Sequence, residues 1–234
     1  MMMGSGDMAI APLVTLGPVG ITSTVMTTWL LTAVIAVLAW SFTRRLRMEP
    51  GPLQTAVEGI VGLIESAVSE VAGEHTRKIL PFIGSLWIFL VTANLAGLVP
   101  GLHSPTRDLS ATAALAFLVF LSTHWFGIRA EGVRSYLRHY LTPSPILLPF
   151  HLISEVTRTI ALAVRLFGNM MSLEMAALLV LLVAGFLAPL PILMLHIIEA
   201  LVQAYIFGML ALIYICGGIQ AQQSKISQEE KSHA

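Results

Sequence analysis

Arg165 lies in the stretch ALAVRLFGNMMSLEM (161–175), a permanent cation in a run apolar enough to cross a bilayer. A charged side chain there costs at least about 2.5–3.5 kcal/mol on insertion scales. Arginine cannot escape that cost by deprotonating, so Arg165 must face protein or water. At about 100° per residue, Glu155, Arg158, Leu162, Arg165, Asn169 and Ser172 fall on one helical stripe, at spacings of three and four. Glu155 and Arg158 are spaced to pair with each other. A structural ion pair and a place on an ion path are both open to them. Arg165 has no acid three or four residues away, so within its own helix it is unpaired. Glu174 sits about half a turn out of phase with Arg165 and roughly 13–14 Å further along the axis. One helix thus carries a fixed cation on one face and a titratable carboxyl on the other.

A second polar set follows downstream. His196, Glu199 and Gln203 stand at i, i+3 and i+7 and share a face of an otherwise uncharged helix. Such a stripe suits proton relay or a narrow aqueous path. In a hairpin centred near Ala184, Gln203 comes level with Arg165 and Glu174 within a turn of His196. A turn centred on Pro189 shifts that register by about ten residues, and the match is lost. The candidate ion path is therefore Glu174, His196, Glu199, Gln203, Asn169 and Glu155, with Arg165 as its central group. Asn169 and Gln203 are equally suited to bridging helices. His124 and His151 read as interfacial or packed, and Ser172 and Asn94 are given no role.

The elements that must hold these residues follow from composition. Of 234 residues, 56% are hydrophobic and 11% charged, and the mean hydropathy is +0.82. A soluble domain is about a quarter charged. The fold class expected is an all-α membrane protein with about five passes, arranged as one integral membrane domain over 1–234. Uncharged runs place the passes at 21–43, 79–102, 109–128, 145–185 and 190–222, the last two forming a long helical hairpin. Gly185, Pro189 and Pro191 mark its turn. Between the first two passes, Leu53, Val57, Ile60, Ile64, Val68 and Val71 form one apolar stripe over 50–74. Its polar side carries Glu58, Glu65 and Glu70, so it reads as an interfacial helix packed on the bundle rather than one drawn to anionic lipid.

Five passes put Arg44, Arg45, Arg47, Arg77, Lys78, Arg129, Arg134, Arg138, Lys225 and Lys231 on one side, and only Arg107 on the other. By the positive-inside rule the tail (223–234) is cytoplasmic and the N-terminus (1–20) lies outside. That N-terminus has no basic n-region, so the first pass is expected to act as its own insertion signal. Cys216 is the one cysteine, which excludes an intrachain disulfide and leaves it a packing role. There is no internal repeat, Gly-rich phosphate loop or metal-ligand cluster, so no cofactor and no metal are expected.

RLFGNMMSLE (165–174) followed by HIIEALVQAYIF (196–207) resembles subunit a of the F-type ATP synthases, the membrane stator beside the rotating c-ring. The arginine, the asparagine after it, the glutamate and the downstream Gln-x-x-Ile-Phe stand in register. The similarity extends through ISEVTRTIALAVR (153–165), RKILPFIGSLWIFLVTANLAGLVPG (77–101) and PGPLQTAVE (50–58). Thr159 departs from the proline common in the family, and Met171, Ser172 and Leu173 from its smaller residues. The resemblance implies that Arg165 faces a carboxyl on each c subunit and favours its ionised form, since an opposite charge within about 4–6 Å does so. Two half-channels would feed that carboxyl, with Glu174, His196 and Glu199 on the outer side, and the fixed charge would keep protons from leaking directly between them. Implied partners are the c-ring, the peripheral-stalk b subunits, the lipid bilayer and a translocated proton (or sodium ion), with no nucleic acid. The implied location is a bacterial inner membrane. This polypeptide would be a non-catalytic ion-channel subunit with no nucleotide chemistry of its own. The alternative, a self-contained ion-coupled secondary transporter, calls for internal pseudo-symmetric repeats that the sequence lacks. A purely structural membrane subunit would leave Arg165 without a reason.

Overall fold

The computed structural model describes residues 14–16, 19–21, 23–44, 51–99, 104–132, 148–184 and 190–232. Helix α1 (Ser23–Arg44) is uncharged until its last residue. Its threonines turn their hydroxyls inward, Thr27 donating to the Ser23 carbonyl at 2.9 Å and Thr28 to that of Thr24 at 2.7 Å. Polar groups satisfied within the helix leave a surface that lipid accepts. None of its side chains is buried, and Trp29, Leu30, Val37 and Leu38 stand open. At its end the Arg44 guanidinium lies 4.0 Å from the centre of the Trp40 ring, an amphipathic pair suited to the membrane edge.

Helix α2 (Pro52–Ala72) opens with proline at its first position, where the missing N–H has no intrahelical partner to lose. The far half of its apolar stripe, Ile64, Val68 and Val71, packs into the core, whereas Leu53 and Ile60 stay exposed. Gly73, at φ +53°, ends α2 in a conformation that a Cβ disfavours. A single 3-10 turn (Gly73–His75) then leads into α3 (Thr76–Ala96). A second turn (Pro105–Arg107) precedes α4 (Leu109–Glu131), whose first turn is capped by the Asp108 carboxylate accepting from the Ser110 amide at 2.9 Å. Helices α5 (Leu148–Ala184) and α6 (Leu190–Ser232) complete the chain.

Five helical stretches are long and apolar enough to cross a membrane, and the expected all-helical membrane class holds. A short addition to it is an antiparallel pair of strands, β1 (Val14–Leu16) and β2 (Val19–Ile21), with Val14 opposite Ile21. Helix α6 runs on to Ser232, so most of the polar segment KISQEEKSHA is helical rather than irregular. The side chains of Arg45, Arg47, Arg134, Arg138, His151, Lys225 and Lys231 lie outside the described residues.

The core is a contact of α3, α4 and α5 around α6, with α2 against α3 and α6. Small residues on α6 (Ala200, Ala204, Gly208 and Ala211) recur every three or four positions and let the backbones approach closely. At Gly208 the indole of Trp87 fills the space: an added Cβ would stand 1.9 Å from its Nε1. Trp87 also donates from Nε1 to the Tyr205 carbonyl at 3.3 Å and stacks on the Tyr205 ring. Gly208→Ala therefore forces α3 from α6, at a cost of about 1–3 kcal/mol for overpacking. Thermal unfolding of the detergent-solubilised protein checks this, with a lowered midpoint expected. An unchanged midpoint would show that the seam is free to expand.

Candidate functional site

Asn169 on α5 donates from Nδ2 to Oε1 of Gln203 on α6, at 2.6 Å. Successive helices joined by a short connection run antiparallel and rise equally per residue, so this one bond sets their register. The midpoint falls at position 186, between the ends of α5 and α6. The register falls between the two that the sequence offered, two positions from a turn centred near Ala184 and three from one centred on Pro189. Gln203 lies one turn from the level of Arg165, and Glu174 comes level with the stretch from His196 to Glu199.

Arg165 is exposed on the open face of α5, while Leu162 and Leu166, on the neighbouring face, are 2% and 0% exposed. Among the described residues it makes no hydrogen bond and no ion pair. One turn away, a Cβ added at Gly168 would meet no neighbouring group within 4 Å among the described residues. Ala161 and Ser172, also exposed, flank the same stripe. The cation thus sits on a shallow strip of small residues that the other described residues leave uncovered.

Glu174, on the other side of α5, bonds to Arg107 of the Pro105–Arg107 turn, Arg107 Nη1 donating to Glu174 Oε1. The spacing of charges assigns Arg107 no partner, because a contact between residues so far apart in sequence has no local pattern. Next to it is a buried polar chain. The Ser104 hydroxyl donates to the Ala93 carbonyl at 2.8 Å and lies 2.7 Å from Thr106 Oγ1, which donates to Asn94 Oδ1 at 2.8 Å. Asn94 Nδ2 in turn donates to the Ala200 carbonyl on α6 at 3.1 Å. Two hydroxyl hydrogens serve three contacts, so one contact always lacks a hydrogen and the chain can alternate between arrangements. Asn94, assigned no role from sequence, is fully buried here and ties α3 to α6.

His196 is 8% exposed, against Gly97, where a Cβ would stand 3.8 Å from its Nε2. That Nε2 and the Nε2 of Gln203 are buried without a hydrogen-bond partner among the described residues, the condition under which ordered water is held. Glu199 is partly buried and likewise has no hydrogen bond or ion pair among them. The structure therefore gathers Asn169 with Gln203, and Asn94 with Ser104 and Thr106 before α4. It leaves Arg165 exposed, with no hydrogen bond or ion pair among the described residues.

The Glu155–Arg158 pair allowed by helical spacing is not formed. Glu155 Oε2 lies 3.2 Å from Nε2 of His124 on α4, whose Nδ1 is 2.8 Å from the Phe120 carbonyl. Arg158 turns to α6, its guanidinium 4.1 Å from the centre of the Tyr214 ring. A helical i,i+3 pair contributes only about 0.2–0.5 kcal/mol, and a cation on an aromatic face about 0.5–1 even when exposed. Two flanking helices thus draw the pair apart, and His124, read from sequence as interfacial or packed, becomes a partner of Glu155.

Residues 25–216 match the family described as ATP synthase A chain. Among curated proteins, the chain is 62% identical over 216 residues to ATP synthase subunit a 2 of Pelobacter propionicus, covering 92% of this chain and 95% of that one. It is 61% identical to ATP synthase subunit a 1 of Hahella chejuensis, covering 93% of each. Against ATP synthase subunit a of Legionella pneumophila it is 57% identical, covering 92% and 94%. A family match spanning most of the sequence, and relatives this similar along nearly their full length, establish that the chain belongs to the ATP synthase A chain family.

Proposed function

We propose that this chain is the ion-translocating subunit a of an F-type ATP synthase, in which Arg165 faces the ring of c subunits between two half-channels. The observation that carries this reading is an exposed arginine without a partner among the described residues, on a strip of small residues. Small side chains admit the close approach of a neighbouring helix. A cation in the bilayer needs a counter-charge, and a carboxylate arriving on a moving partner supplies one.

Each ring carboxyl gives up its proton as it nears Arg165, passes the guanidinium as a carboxylate, and takes a proton from the other half-channel. Glu174, His196 and Glu199, with Asn169 and Gln203, serve the outer half-channel, and Glu155 the inner. The level match of Glu174 with the His196–Glu199 stretch supports the first assignment. Arg165 stays charged and repels a proton that would cross directly. Every proton crossing 100 mV releases about 2.3 kcal/mol, which turns the ring. The basic residues on one side support a cytoplasmic C-terminus and an outer N-terminus in a bacterial inner membrane. The peripheral-stalk b subunits hold the chain against the torque.

Reconstitution separates this reading from a self-contained transporter. In liposomes the purified chain alone is expected to move neither protons nor sodium, and the assembled synthase to pump protons at an undiminished rate without sodium. Transport by the isolated chain would sink the reading, and a strict sodium requirement would change the ion.

A further inference from the structure

Arg107 has no part in the mechanism above, yet it makes the direct contact to Glu174. It closes the Pro105–Arg107 turn, which packs against α5 and is tied by hydrogen bonds to α3. Ser104 and Thr106 are buried and bonded to α3, and Asp108 caps α4 immediately after it. The guanidinium is therefore presented from a fixed base. It engages Oε1 of Glu174, and Oε2 has no hydrogen bond among the described residues. The two side chains keep 34% and 33% of their surface open. A carboxylate tied at one oxygen is held in place while the other stays able to take a proton. Arginine suits the tie because it cannot itself surrender a proton. It orients the relay group without becoming one.

We propose that Arg107 is a positioning residue of the outer half-channel, holding Glu174 by one oxygen so that the other exchanges protons with the outer water. A proton on Oε2 removes the carboxylate charge and weakens the ion pair, which re-forms when the proton moves on. The pair loosens and closes with each ion passed. This inference rests on the reading of Glu174 as a path residue.

The test uses the assembled synthase in inverted membrane vesicles, whose lumen is the outer side, with ATP-driven proton uptake followed by a pH-sensitive dye. Arg107→Ala is expected to slow the initial rate about tenfold, since a misplaced reacting group can cost up to about a hundredfold. Arg107→Lys, which keeps a cationic donor, should stay within about threefold of the parent. Low-millimolar guanidinium chloride sealed in the lumen should restore much of the Arg107→Ala rate, and the same salt outside the vesicles should not. A group needed only during assembly would not be rescued from one side afterwards. Undiminished pumping by Arg107→Ala overturns the proposal, as does failure of either the lysine or the luminal rescue. Should Arg107→Ala not assemble, Arg107→Gln takes its place under the same criteria. Glu174→Gln keeps the two readings apart: full pumping by that variant removes the path reading itself, whereas slowed pumping beside undiminished Arg107→Ala removes only the positioning role.

Discussion

Arg165→Ala is expected to reduce ATP-driven proton pumping below about one hundredth of the parent rate, while the synthase still assembles. The magnitude follows from the charge it answers. Leaving a desolvated carboxylate without its partner costs about 3–5 kcal/mol, and each 1.36 kcal/mol is tenfold in rate. About two to nearly four orders of magnitude are therefore at stake. Assembly should survive because Arg165 is exposed and bonds to nothing among the described residues, so its loss opens no cavity and strands no buried group. Arg165→Lys keeps the charge but shortens its reach and loses the planar fork, and should pump well below the parent. Proton uptake by membrane vesicles, with the amount of assembled subunit a measured alongside, decides the matter. Full pumping by Arg165→Ala would leave the proposed mechanism without its central group.

The second large effect is expected one turn away. Gly168→Leu adds a side chain where no neighbouring group among the described residues stands in its way, so the subunit should fold and insert normally. If the ring passes over this strip, four extra carbons stand between Arg165 and its carboxyl. Coulomb attraction falls with distance and with any water the gap admits. Pumping is then expected to drop by about tenfold or more, for a loss of roughly 1.4 kcal/mol or more at the contact. Gly208→Leu provides the contrast, because Trp87 already fills that space and the subunit itself should be destabilised. A Gly168→Leu subunit that pumps normally would place the ring elsewhere.

The relation of sequence to structure differs from element to element. The lack of charge and the length of the apolar runs were enough to foretell five membrane-crossing helices, because the bilayer demands about 20 apolar residues and internally satisfied backbones. Helical phase was enough to part Arg165 from Glu174, since faces of one helix depend only on spacing. The paired strands Val14–Leu16 and Val19–Ile21 have no signal in the sequence, because strands of three residues have no periodicity to read. Glu155 and Arg158 were read as neighbours on one helix, and they are. What they bond to was decided by His124 and Tyr214, from two other helices.

By itself, then, the sequence determined the class of protein, the isolation of Arg165 within its helix and the set of polar residues available for an ion path. These follow from local constraints: the insertion cost of charge, the pitch of a helix and the length needed to span lipid. Only the tertiary structure decided the register of α5 against α6 through Asn169 and Gln203, the pairing of Glu174 with Arg107, and the open strip beside Arg165. Each depends on which helix faces get covered, and that is settled by packing between segments far apart in the chain, where a one-turn slip exchanges one set of partners for another.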